Sequence, residues 1–424
     1  MTIAGYRISL WTLVLFAIVL LALGLRLKGI HNPILDHPGW RQGDEASIAR
    51  NFATLQYNIL YPQTNYNGPP PNYVELELQI VPFLAATLYK LFGVHEIFGR
   101  LITAAFSLGT VALLGLFARW LFFSEIAGLA AALLYAIMPG SIYYGRTFTP
   151  DAAMVFFLTA ALYACSRLLV QAEVMTPRAL LRCTALLLLA YLAKPVALVA
   201  LVPISAMMTV RIARGRTVNW YALATLLIVP FAVLYAYDRA VASHAEWLWA
   251  SGITKLHVLP ALHAALTNGA AFSLKFAQFR QVLGMLTWTM LGPFCTALAI
   301  LGLVVRPPNR SRTLLWGWLA AGLLYTYVVV TVERVDYYMF LLLPLAALLG
   351  AAFIAQVADR IIASRLPISA RYVISVACAI VFGLALWQNR AIIRPYYAYS
   401  KPVYRNAIAL NRTLDPSALI VMGH

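Results

Sequence analysis

Charge is what this 424-residue sequence has least of: 11% of its residues are Asp, Glu, Lys or Arg, while 62% are hydrophobic. A water-soluble domain is nearer a quarter charged, so a soluble globular chain is excluded. Acidic residues are scarcest, 15 against 32 Lys and Arg, for a net charge of +17. In a soluble protein that surplus would point to nucleic acid. In a chain this apolar it is expected of cytoplasmic loops and of side chains facing anionic lipid, and no nucleic-acid partner is expected. The four cysteines (Cys165, Cys183, Cys295, Cys378) all sit in apolar stretches. They show neither metal-ligand spacing nor a disulfide framework, and read as small core residues. GxxxxGK[ST], GxGxxG and HExxH are absent, which leaves nucleotide-phosphate cradles and zinc-protease chemistry without support.

Long apolar stretches are what the sequence does have. About eleven occur, near residues 8–26, 97–121, 124–143, 150–170, 179–194, 196–211, 218–236, 284–305, 313–331, 337–357 and 369–388. Stretches of about 20 residues match the hydrocarbon thickness of a bilayer. The first, from Ile8 to Leu25, is not followed by a small-residue cleavage site and reads as a span. A twelfth segment, 78–94, is interrupted by Pro82 and Lys90. Charge decides whether it crosses. With eleven spans, the arginines at 119, 167, 178, 182, 211, 214, 216, 306, 310, 312, 360, 365 and 371 fall on the side of Arg7. Most acidic residues, including Asp44, Glu45, Glu75, Glu77, Asp151, Asp238, Glu246, Glu333 and Asp336, fall on the other. Twelve spans would move the first loop to the arginine side, so the excess of basic residues in cytoplasmic loops favours eleven.

The expected architecture is an all-α polytopic membrane domain over residues 1–388. Its N-terminus is inside, and long external segments cover 27–96 and 237–283. The tail, 389–424, is external, and 78–94 becomes a helix on the outer surface. The GPPP at 68–71 reads as a local turn.

Candidate chemistry lies on the acidic side. From Asp44 the apolar Ile48, Phe52 and Leu55 recur at helical spacing, with Asp44, Ser47, Asn51 and Thr54 opposite. This predicts an amphipathic interfacial helix with Asp44 at its start, where a carboxylate is either a cap or a catalyst. Asp151 stands where the chain re-enters the apolar phase, in a helix first turn or a site. Lys194, the only lysine between positions 91 and 254, is a snorkelling anchor or an ammonium that holds phosphate. Glu333, Arg334, Asp336, Tyr337 and Tyr338 gather at one outer mouth, where Arg and two tyrosine hydroxyls would suit an anionic head group. Glu75 and Glu77 are weak candidates to ligate a divalent cation. Beyond that candidate divalent cation, the sequence points to no cofactor.

Taken in order, these features resemble the GT-C glycosyltransferases of the protein mannosyltransferase and aminoarabinose (lipid A) transferase type. The pieces are Asp44-Glu45 soon after the first span, a surface helix ending LYKLFG, and the GRLITAAFSLGTVALLGLFARWLF span. Pro150-Asp151, the LAKP turn and YYMFLLLPLAALLG follow. The resemblance implies a GT-C fold and an inverting transfer of sugar from a polyprenyl-phosphate donor. It implies a lipid, glycan or protein acceptor, with lipid A or lipopolysaccharide among them, at the outer, periplasmic face of a bacterial inner membrane. It makes the Asp44-Glu45 pair the first acidic site, with Asp44 as base, and Asp151 the second. Lys194 and Arg334, with Arg41 and Arg146 behind them and Tyr337 and Tyr338 beside them, are the expected phosphate ligands. The sequence also departs from that family. The loop reads GPPPNYVELELQ without the Lys-Pro-Pro lysine of the aminoarabinose enzymes, and Ser47 stands where those enzymes have Arg, so Arg41 or Arg50 would have to substitute. The tail offers a predicted helix at 403–413, an Asp415-Pro416 turn and a strand-like ALIVM in place of a large external domain. A secondary transporter of an anionic or lipid-linked substrate is the alternative. It would call for paired broken helices and midplane charges.

Overall fold

The computed structural model describes residues 2–3, 6–7, 9–65, 71–172, 174–216, 219–364 and 366–415. Among these, eight helices are long and apolar enough to cross a membrane, or nine if a bent pair counts as one. The chain runs through α1 (Leu10–Leu27), α2 (Gly39–Thr54), α3 (Ile80–Phe92), α4 (Ile97–Phe122), α5 (Glu125–Ile137), α6 (Pro139–Tyr144), α7 (Asp151–Ser166), α8 (Pro177–Ala193), α9 (Leu201–Ala213) and α10 (Trp220–Ala242). Later helices cover Gly269–Met285, Pro293–Val304, Asn309–Tyr325, Leu343–Ala363, Ile368–Ile393 and Lys401–Thr413.

The long helices follow the apolar runs, and the differences arise at proline and glycine. The 124–143 stretch is broken into α5 and α6, because Pro139 has no N–H to continue the ladder. The stretch read as one span over 284–305 is part of a pair, Gly269–Met290 and Pro293–Val304, bent by 115°. The corner is Gly292, whose φ of +76° suits glycine, followed by Pro293. A Cβ on Gly292 would also run into the Asn389 side chain. Helix α8, with 17 residues, stands at the lower limit for a crossing. Helix α3 has 13 residues, about 20 Å, which is too short to cross.

The start of α2 corrects the sequence reading. The helix begins at Gly39, after Pro38, so Asp44 lies in its interior and does not cap it. Ile48 and Phe52 are buried as expected, but Leu55 is 59% exposed. The buried side of α2 also includes Arg41, Gln42, Glu45 and Asn51. Polar contacts therefore fix this helix as much as apolar ones do, and an interfacial apolar stripe does not describe it. The two long segments between spans are joined: Val74–Glu75 pairs in parallel with Trp247–Leu248. The tail helix is Lys401–Thr413. Residues 66–70, which include most of the GPPP turn, and 416–424, which include ALIVM, lie outside the described residues.

Candidate active site

The polar centre is assembled from five parts of the chain. Helix α2 supplies Arg41, Asp44 and Glu45. The extended segment before α3 supplies Glu77, and it is tied to the end of α8 by the Leu78 N–H donating to the Leu192 carbonyl at 2.8 Å. The first residue of α7 is Asp151, and Lys194 immediately follows α8. The 3₁₀ turn Asp336–Leu342 adds Tyr337 and Tyr338.

Two ion-pair groups hold this centre. Lys194 Nζ donates to Asp151 Oδ1 at 2.6 Å, with both residues buried. The same ammonium lies 4.6 Å from the Tyr338 ring centroid and 5.0 Å from that of Tyr337. Arg41 donates to the Glu77 carboxylate and lies 2.9 Å from Glu45 Oε1. Neither Glu45 oxygen has a hydrogen-bond geometry to any partner among the described residues, and the same holds for Asp151 Oδ2. Asp44, one helical turn after Arg41, is half-buried.

Glu45 is fully buried, and this pushes its carboxyl up to about 8; Arg41 resists the shift, and the charges of Glu77, Asp44 and Asp151 reinforce it. Two acidic residues a hundred positions apart in sequence, Asp44 and Asp151, thus act on one carboxyl. The sign of the pH effect follows. The folded chain keeps a proton that the unfolded chain, with the ordinary 4.5, has lost, so stability falls as pH rises from about 5 to about 8. Glu45→Gln, neutral throughout, should flatten the melting-temperature curve over that range. An unchanged slope would contradict the buried proton.

A second buried polar cluster lies beside the first, and sequence reasoning missed most of it. Asp36 is fully buried between Arg100 Nη2 at 2.8 Å and Arg146 Nη2 at 2.6 Å. Gln42 Nε2 donates to Asp36 Oδ1 at 2.8 Å, so the helix carrying Arg41, Asp44 and Glu45 is fastened here. Asp336 accepts from the Tyr144 hydroxyl at 2.6 Å and the Tyr396 hydroxyl at 2.5 Å, with His37 Nε2 at 3.4 Å. One signal was available. Arg100 sits inside an apolar run, and intramembrane charge is retained only with a partner.

The expected site residues therefore separate. Asp44, Glu45, Asp151, Lys194, Arg41, Tyr337 and Tyr338 come together, and Glu77 joins them through Arg41. Arg146 belongs to the Asp36 cluster. Arg334 is exposed, with φ +51°, and its side chain makes no hydrogen bond or ion pair to a described residue. Arg50 is exposed on the far side of α2. Glu75 accepts from the Ser251 N–H at 3.1 Å, and burial together with a hydrogen bond shared with Asp238 pushes it up to about 7. Glu75 and Glu77 thus have different partners, and no three His, Cys, Asp or Glu side chains are grouped to hold a metal among the described residues.

Fold and centre together define a polytopic helical membrane protein whose buried carboxylates and cations meet at one end of its spans. The profile of the dolichyl-phosphate-mannose-protein mannosyltransferases matches residues 79–237, a stretch that contains Asp151 and Lys194. ArnT from Cupriavidus metallidurans bound to undecaprenyl phosphate is similar in structure, with a TM-score of 0.55 at 15% identity over 86% of this chain and 63% of that one. The oligosaccharyltransferase of Archaeoglobus fulgidus, in complex with Zn and sulfate, has a TM-score of 0.50 at 14% identity, over 94% of this chain and 55% of that one. This chain thus spans less than two thirds of the length of either. No curated protein matches it. The fold is GT-C, and the resemblance to the GT-C glycosyltransferases read from the sequence is shown.

Proposed function

We propose that the chain is an inverting glycosyltransferase that takes its sugar from a polyprenyl-phosphate donor, and that the polar centre is its active site. The observation that carries this reading is the buried Lys194–Asp151 pair beneath Tyr337 and Tyr338, next to the carboxylates of α2. In the reaction an acceptor hydroxyl gives its proton to Asp44 while its oxygen bonds to the anomeric carbon. The bond from that carbon to the phosphate oxygen breaks, and its electron pair leaves on the phosphate. A phosphate leaving group needs fixed positive charge and no proton. Lys194 supplies that charge in this reading. Asp151 holds it in place, and the tyrosine hydroxyls are at hand for the phosphate oxygens. Arg334, three residues before Tyr337, is the exposed cation that can close over the phosphate.

An apolar groove supports the lipid part of the reading. It lies between the bent pair and the helices Asn309–Tyr325 and Leu343–Ala363, lined by Leu286, Leu291, Ile300, Leu319, Leu342 and Leu349. Leu342 ends the same turn that begins with Asp336, Tyr337 and Tyr338, so a prenyl tail in the groove would bring its phosphate toward those tyrosines. The acceptor is a cell-envelope lipid, glycan or protein, and the reaction takes place at the outer face of a bacterial inner membrane.

The test uses the purified protein and polyprenyl phosphate without sugar. Lys194→Ala should weaken binding by roughly 10- to 100-fold, the size of a lost charge-assisted hydrogen bond. Lys194→Arg should recover part of it. Equal binding by wild type and Lys194→Ala would remove the lysine from the phosphate site.

A further inference from the structure

Four arginines meet around one recess at the other end of the bundle. Arg211 comes from the last turn of α9, Arg214 and Arg216 from the turn after it, and Arg310 from the first turn of the helix Asn309–Tyr325. Among the described residues none that lines the recess is acidic, and its half-buried apolar wall includes Val170 and Val210. Val170 lies 19 residues beyond Asp151 on α7 and its continuation. At 1.5 Å per residue that is about 28 Å, close to the hydrocarbon thickness of a bilayer. The recess therefore lies at the membrane face opposite the polar centre, out of reach of anything bound there.

Arginines near a membrane face commonly only snorkel to water. Three of these are held differently, Arg216 by its Nη1, which donates to the Val170 carbonyl at 2.9 Å. Arg211 is 2% exposed and donates to the carbonyls of Leu169 at 3.2 Å and Ala172 at 2.7 Å. Arg310 lies over the Phe123 ring at 3.0 Å and the Trp120 ring at 4.6 Å, and its Nε donates to the Leu121 carbonyl at 3.0 Å. Its Nη2 is shielded from water and has no acceptor among the described residues. A buried guanidinium donor left unmet is costly, and an anionic oxygen is the acceptor that suits it best. Phe123, Trp220 and Tyr221 are 75%, 68% and 86% exposed, the aromatic belt of a membrane interface at this level.

We propose that this recess binds the phosphodiester headgroup of an anionic phospholipid from the leaflet opposite the polar centre. Guanidinium forks match the headgroup oxygens, and the first methylenes of the acyl chains cover Val170 and Val210. A free phosphate would satisfy the arginines and leave that apolar wall wet.

Native mass spectrometry of the full chain with phosphatidylglycerol tests this directly. Arg214→Gln, a change at an exposed position, should reduce retained phosphatidylglycerol by about threefold. Arg214→Gln with Arg310→Gln should reduce it by about tenfold or more, as expected for losing charge-assisted hydrogen bonds. Phosphatidylcholine should not be retained, and millimolar inorganic phosphate should not displace the lipid. Undiminished retention by Arg214→Gln, or equal retention of phosphatidylcholine, would overturn the proposal. Displacement by inorganic phosphate would assign the recess to a free anion and overturn the lipid.

Discussion

Asp36→Ala should lower the stability of the detergent-solubilised protein by about 3–5 kcal/mol, the cost of leaving buried partners of an ion pair uncompensated. Asp36 is the one carboxylate between Arg100 and Arg146, and all three side chains are fully buried. Removing it leaves two guanidinium groups facing each other without the carboxylate they share. Asp36→Asn keeps a hydrogen-bond acceptor for Gln42 but supplies no charge, and should fall between the two. Because Asp36→Ala removes one of the two bonds from Gln42 to residue 36, a surviving Ala variant should also bind polyprenyl phosphate more weakly. A melting temperature within a degree or two of wild type would mean that the cluster does not hold the fold together.

Asp44→Asn should leave the fold intact and remove turnover. The substitution preserves size and hydrogen-bonding capacity but takes away the basic carboxylate, so the acceptor hydroxyl keeps its proton in the transition state. A positioned base contributes roughly 10²–10⁴-fold. The loss should therefore appear in turnover by a factor on the order of 10² or more, with donor affinity little changed. The structure sharpens this test. Asp44 lies inside α2 rather than at its start, so loss of a helix cap cannot account for an inactive variant. Activity within about threefold of wild type would take the base role away from Asp44.

The membrane architecture was legible because hydropathy and arginine placement are summed over many residues. The breaks at Met138 and Gly292 were not, although Pro139, Gly292 and Pro293 were there to be read. A proline at a helix start and one at a bend look alike in sequence, and neighbouring helices decide between them. In the site, Asp151 and Lys194 stood out because each is a rare charge at the edge of an apolar run, and Asp44 because it opens an amphipathic pattern. Glu45 was named only as the partner of Asp44, yet it is the most deeply buried carboxylate of the centre. Asp36 escaped notice because it sits in an irregular segment with no periodicity, and its partners Arg100 and Arg146 lie 64 and 110 residues away. Arg146 and Arg334 had the right chemistry for phosphate. Burial beside Asp36 took the first out of the polar centre, and exposure leaves the second at its rim.

The most direct measurement is transfer itself. Purified protein in lipid nanodiscs is incubated with a polyprenyl-phosphate donor carrying labelled sugar and with an extract of envelope lipids, glycans and proteins. The expected result is label moved to a chloroform-insoluble or lipid-linked product, release of polyprenyl phosphate in equal amount, and loss of both with Asp44→Asn. Donor that binds to wild type and is never consumed, across the sugars and acceptors tested, would contradict an enzyme and leave a lipid-binding membrane protein in its place.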